Sequence, residues 1–145
     1  MNIKSLSEHE EQKLLVDIFH LKYKGVLIHA IANGGHRHIA VAVKLKAEGV
    51  LSGIPDLYIP AWNLWIEVKT TTGKLSHAQK QCIAYLKSIG DTVIVAYGSD
   101  DGLNKINEFL AQFPRGGPDK ISLKAQNDLN LAVFQLLLSS LHPIQ

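Results

Sequence analysis

The stretch "GIPDLYIPAWNLWIEVKTTTGK", residues 53–74, sets Asp56, Glu67 and Lys69 among residues patterned as a β-hairpin. Strand positions favour β-branched and aromatic side chains, so a charge there needs either solvent or a chemical task. A turn centred on Ala61 and Trp62 pairs Ile59 with Leu64, Tyr58 with Trp65, Leu57 with Ile66 and Asp56 with Glu67. Widening the loop symmetrically to four residues leaves those pairs unchanged. Because side chains alternate across a strand, Leu57, Ile59, Leu64, Ile66 and Val68 line one face, and Asp56, Tyr58, Trp65, Glu67 and Lys69 line the other. The first reads as a core face; the second carries the chemistry.

Two carboxylates set opposite each other repel unless a proton or a cation is shared between them. A hard divalent ion such as Mg²⁺ or Mn²⁺ suits an all-oxygen pair and leaves positions open for a phosphate. Lys69, on the face of Glu67 and two residues beyond it, puts an ammonium where phosphate charge builds up. The same pattern also fits a solvated outer face on which Lys69 pairs with a nearby carboxylate. Tyr58 and Trp65 likewise admit two readings, a cross-strand aromatic pair or a surface on which a base stacks.

The 145 residues suffice for one compact domain, which at this size buries roughly two-thirds of the surface its unfolded chain exposes. Hydrophobic residues at 46% and charged ones at 19% exclude a disordered or fibrous chain, while a formal charge of +2 is too small to identify a partner. Cys82 is the only cysteine, so no disulfide forms within the chain and a reducing compartment is expected. Within "AQKQCIAYL" it reads as a small core hydrophobe. The N-terminus lacks the apolar run of a secretory signal. The longest apolar tract, "LNLAVFQLLLSSL", is interrupted by Gln135 and falls short of the roughly 20 residues a bilayer requires. A soluble, cytoplasmic protein without membrane contact is the expectation.

Ser7 reads as the cap of a helix carrying Leu14, Leu15, Ile18 and Phe19, which fades near Lys24 and Gly25. "GVLIHAIA" (25–32) reads as a strand, "NGGHR" as a loop, and "HIAVAVKLKAEG" (38–49) as a helix stopped by Gly49. After the hairpin, Ser76 opens the helix "SHAQKQCIAYLKSIG", ended by Gly90, and "TVIVAY" (92–97) reads as a fully buried strand. "SDDGLNKINEFLAQF" (99–113) is a further helix, "PRGGPDK" has linker composition, and residues 122–141 form a last amphipathic helix. The fold class is α/β: a mixed sheet flanked by helices in the order αβαββαβα, over residues 1–113, with a linker and an extra C-terminal helix at 114–145.

"GIPDL" followed by "WIEVK" looks like the signature of the PD-(D/E)xK nuclease superfamily. The longer strings "NGGHRHIAVAVKLKAEGVLSGIPDL" and "WIEVKTTTGKLSHAQKQCIAYLKSIGDTVIVAYG" resemble the VRR-NUC family almost continuously, over residues 7–98. "SEHEEQ" is similar to that family's first motif, a Glu followed four residues later by Gln, here Glu8 and Gln12. The resemblance implies a restriction-endonuclease-like core and a Mg²⁺- or Mn²⁺-dependent phosphodiesterase acting on DNA. It implies Asp56 and Glu67 as metal ligands, Lys69 as the catalytic lysine, and Glu8 and Gln79 as further site residues.

Local readings stand beside these roles. Glu8, Glu11, Gln12 and Leu15 share a helix face, so Glu8 or Glu11 could reach a metal, yet acidic residues also favour a helix's first turn for their own sake. "SHAQ" is a capping box in which Ser76 and Gln79 satisfy each other's backbone donors. Arg37, Lys44, Lys46 and Lys74 are candidates for phosphate contacts, or else solvated surface. His36 and His38 lack partners at structural-zinc spacing. A stand-alone chain without a sequence-reading domain suits branched or forked DNA. Leu129, Val133, Leu136, Leu137 and Leu141 offer a homodimer interface unless that helix packs on its own domain. A noncatalytic DNA-binding module, or a nuclease acting on RNA, is the alternative function.

Overall fold

The computed structural model describes residues 5–32 and 39–113. The elements are α1 (Glu8–Lys22), β1 (His29–Ala30), α2 (Ile39–Ala47), β2 (Leu57–Ile59), β3 (Leu64–Lys69), α3 (His77–Ser88), β4 (Thr92–Tyr97) and α4 (Ser99–Ala111). Their order is the one read from the sequence. The chain divides into two compact units, residues 1–108 and 109–145. Of the second unit only 109–113 are described, as the end of α4; the expected helix at 122–141 lies outside the described residues.

One sheet, ordered β1-β2-β3-β4, pairs β1, β2 and β3 antiparallel and β3 with β4 parallel through the α3 crossover. The hairpin register is the expected one: Leu57 opposite Ile66, Tyr58 opposite Trp65 and Ile59 opposite Leu64. The loop takes the longer form. Pro60 to Trp62 make a 3₁₀ turn, and Asn63 leaves it in the left-handed region at φ 48°, which its short polar side chain tolerates.

Asp56 departs from the expected pairing with Glu67. β2 begins only at Leu57, and the Asp56 carboxylate accepts the Val68 amide at 2.8 Å, so a side chain replaces the next rung of the ladder. The Asp56 carbonyl accepts the Ile31 amide at 2.8 Å. β1 is also much shorter than residues 25–32, because its partner β2 is itself three residues long and offers little backbone to pair with. β4 differs as well: it is a sheet edge, with Val93, Ile94 and Ala96 buried and Tyr97 exposed. Its open side is met from α4, where Asp101 accepts the Tyr97 amide at 2.9 Å and Lys105 donates to the Val95 carbonyl at 2.7 Å.

The core lies on both faces of the sheet. Leu57, Ile59, Leu64, Ile66 and Val68 are at most 1% exposed and share their burial with Leu15 and Phe19 of α1 and Ile106 of α4. Phe19 and Tyr23 pack edge-on against Trp62 at the hairpin tip. On the other face Ile83 and Leu86 of α3 meet Val93, with Trp65, Val95 and a half-buried Cys82 beside them. Ser7 caps α1 through a capping box with Glu10, and Ser76 caps α3 through one with Gln79. Leu14 falls off the packed stripe and is exposed, and α2 buries none of its residues. Among the described residues no helix is long and apolar enough to cross a membrane.

Candidate active site

Four elements bring Asp56, Glu67, Lys69, Glu8 and Gln79 to one place. β3 supplies Glu67 and Lys69 from the face opposite its core residues, the bend before β2 supplies Asp56, and the first turns of α1 and α3 supply Glu8 and Gln79. Glu67 is 1% exposed. Its Oε1 accepts a hydrogen bond from Gln79 Nε2 and lies 3.2 Å from Lys69 Nζ. Its Oε2 is buried and accepts no hydrogen bond from any described residue.

The two readings of Gln79 prove to be two ends of one amide. Its Oε1 accepts the Ser76 amide at 2.8 Å to close the capping box, which turns Nε2 toward Glu67. The capping geometry therefore fixes the orientation of the Gln79 side chain toward Glu67.

Burial is the main cause that pushes the Glu67 carboxyl up to about 7; the neighbouring Asp56 charge adds to it and Lys69 works against it. Burial works against the Lys69 charge too, yet the Glu8 hydrogen bond at 3.1 Å and the Glu67 ion pair hold this lysine above its ordinary range. Lys69 is therefore a cation at neutral pH and no base.

An orphaned buried carboxylate oxygen, pressed by a second carboxylate, is what an all-oxygen site for a hard divalent ion requires. Among the described residues no three or more of His, Cys, Asp and Glu group to hold an ion by themselves. That agrees with an ion such as Mg²⁺, which keeps several waters and takes only one or two carboxylates from the protein. Asp56 and Glu67 are the residues that would hold it.

Glu11 sits elsewhere. It is 7% exposed, and its Oε2 accepts the Ser99 amide at 2.7 Å, so the carboxylate caps the N-terminus of α4. Gly98 joins β4 to α4 at φ +93°, a left-handed conformation that favours glycine. The Gly98 amide in turn donates to the Lys69 carbonyl at 2.8 Å. Glu11→Gln keeps an acceptor oxygen and should leave stability and metal affinity nearly unchanged, whereas Glu11→Ala should cost about 1–3 kcal/mol in urea unfolding. Lost metal affinity in Glu11→Gln would return Glu11 to the ligand set.

Sequence reasoning missed Gly98, Ser99 and Gly53. Gly53 has φ +87°, and a Cβ on it would fall 2.6 Å from the Ala78 carbonyl carbon. The loop leading to Asp56 thus lies directly on the first turn of α3, beside Gln79. A glycine three residues before the motif's Asp was the available signal.

Of the basic candidates, none that is described forms an ion pair with the carboxylates of this cluster. Lys44, Lys46 and Lys74 are exposed, Lys44 lying 3.8 Å from Glu48, and Arg37, like His36 and His38, lies outside the described residues. Tyr58 and Trp65 form a cross-strand pair with ring centroids 4.4 Å apart. Their polar ends are tied down, Tyr58 to Asn63 at 2.9 Å and Trp65 to Asp91 at 2.9 Å.

The family model of the VRR-NUC domain matches residues 6–100. A solved structure described as "VRR_NUC domain protein" is 31% identical, with a TM-score of 0.58 over 74% of this chain and 91% of that one. A comparison with curated proteins gave no match.

Proposed function

The chain belongs to the VRR-NUC family, a nuclease family, and from that premise we propose that it is a divalent-metal-dependent deoxyribonuclease selective for branched or forked DNA. The observation that carries the metal-dependent reading is Glu67 Oε2, buried, without a hydrogen bond, and next to the Asp56 charge.

The proposed reaction is in-line hydrolysis of a phosphodiester. Bound Mg²⁺ or Mn²⁺ supplies Lewis-acid polarisation and charge neutralisation at the phosphate. The chain's own residues do the rest. Gln79 holds Glu67 in one orientation, so Oε2 is presented without a rearrangement. Asp56 is steadied by the Val68 amide. Lys69, kept protonated by Glu8 and Glu67, orients the attacking water by donating to it, or stabilises the charge that develops on the phosphate. Glu8, half exposed at the start of α1, holds the lysine side chain over the site.

Calorimetry tests the ligand set. Mg²⁺ or Mn²⁺ should bind, in the presence of DNA if not alone, and raise the melting temperature; at a hundred times Kd the gain is about 2.7 kcal/mol. Asp56→Asn should lose most of it. No binding in the parent under either condition, or unchanged binding in Asp56→Asn, would sink the proposal. Cleavage of junction, fork, flap, single-stranded and linear DNA in parallel tests the substrate, and equal rates on linear duplex and junctions would refute the selectivity. Paired cuts in a junction call for two active sites, and the apolar repeat at residues 129–141 motivates a homodimer. Light scattering that finds a monomer would refute it.

A further inference from the structure

The segment between Lys69 and Asp91, like the longer one between Asp17 and Glu48, is free of acidic residues. Residues 70–90 carry Lys74, His77, Lys80 and Lys87. Other surface cations have carboxylate partners: Lys13 with Asp17, Lys44 with Glu48, Lys105 with Asp101. Lys74, Lys80 and Lys87 are exposed and form no ion pair with any described residue. The acid that ends the segment, Asp91, is engaged by Asn63 and Trp65 on the hairpin side.

The positions have direction. On α3, His77, Lys80, Ala84 and Lys87 recur at helical spacing, all exposed, with Lys80 and Lys87 along the flank next to buried Ile83. Lys80 and Lys87 are about 10 Å apart along the helix axis, close to the rise of three base pairs. The stripe starts at the helix end that turns Gln79 onto Glu67. A backbone cleaved beside Glu67 therefore has a line of unneutralised cations leading away from the cut. Such contacts neutralise phosphates without reading bases, which suits recognition of shape.

We propose that the exposed face of α3, from Lys74 through Lys80 to Lys87, is a track for the phosphate backbone of the substrate on one side of the cleavage point. It rests on the nuclease reading above and extends that site by two residues, Lys80 and Lys87. Lysines facing an anion polymer need no carboxylate partners, and the helix places none among them.

The experiment is fluorescence anisotropy with a labelled four-way junction and a linear duplex, without divalent ion, across a range of salt. The full-length parent is compared with Lys80→Gln/Lys87→Gln, Lys80→Glu/Lys87→Glu, and Lys13→Gln as a surface control, with circular dichroism to establish folding. The glutamine pair should reduce the slope of log affinity against log salt by about two, and the glutamate pair should weaken binding at 0.1 M salt by about tenfold or more. In the cleavage assay KM should rise with kcat within about twofold. Unchanged affinity and slope in both pairs, with a parent that binds and cuts DNA, overturns the track and leaves the nuclease reading standing. A fall in kcat at unchanged KM also overturns it, because α3 would then be acting through Gln79. A parent that neither binds nor cuts any DNA overturns both.

Discussion

Glu67→Ala should lower the rate of DNA cleavage by at least about 100-fold, and Lys69→Ala by a comparable factor, while the two differ in metal binding. Glu67→Ala removes a buried oxygen that no described residue hydrogen-bonds and, on the proposed ligand set, should abolish divalent-ion binding; Lys69→Ala removes a cation and should leave metal affinity the same or tighter. Equal loss of metal in both would contradict the division of labour. Glu67→Gln adds a pH signature. The folded carboxyl titrates near 7 against 4.5 for an unstrained glutamate, so between those values the folded chain holds a proton that the unfolded chain has released. The contribution to stability is fully present below about 4.5 and is lost as pH rises through about 7. In chelator, the melting temperature of the parent should therefore fall relative to Glu67→Gln between pH 5 and 8, and saturating Mg²⁺ should reverse the trend. Parallel pH profiles of the two proteins would show that Glu67 is not a strained carboxyl.

Gly53→Ala should be strongly destabilising although it adds only a methyl group and lies outside the proposed site residues. The added Cβ would lie 2.6 to 2.8 Å from the Ala78 carbonyl and the Gln79 amide, all backbone atoms that no rotamer change can move, at a φ of +87° that L side chains avoid. The two penalties together come to about 3 kcal/mol or more. Relief requires the first turn of α3 to move away, which takes Gln79 off Glu67, so activity should fall with stability. Gly25→Ala is the matched comparison: its φ is +81°, but a Cβ there meets nothing within 4 Å. It should carry the conformational cost of about 1–2 kcal/mol alone. Urea unfolding that finds the two variants equal would remove the close approach from the account.

The hairpin was legible because its information is periodic. Five alternating apolar residues admit one core face, and the match of apolar partners about the loop gave the register even though Ala61 and Trp62 are not a favoured tight-turn pair. The caps were legible because they are local: Ser7 reads as a cap by itself and Ser76 with Gln79, three residues on, as a capping box, while the Glu10 half of the first box emerged only in the structure. Contacts without period or proximity were not. Glu11 meets the amide of Ser99, a partner 88 residues away that leaves no trace in local spacing. Asp56 looked like a ladder residue because alternation cannot tell a backbone rung from a carboxylate that takes its place. The continuous apolar run of β4 reported cover on both faces and was silent about its edge, which is a property of the neighbouring strand.

That edge has a consequence for the life of the chain before it is finished. An unpaired strand is a template on which another nascent or misfolded chain can grow, and β4, six residues long and rich in Val and Ile, is well suited to it. The groups that occupy its outer amide and carbonyl, Asp101 and Lys105, belong to the helix that follows immediately and leave the ribosome within the next two helical turns. The guard is thus made just after the strand it protects and needs no contact with distant parts of the fold. It also narrows how copies of the protein can associate on this side, because the Val95 carbonyl and the Tyr97 amide are already taken.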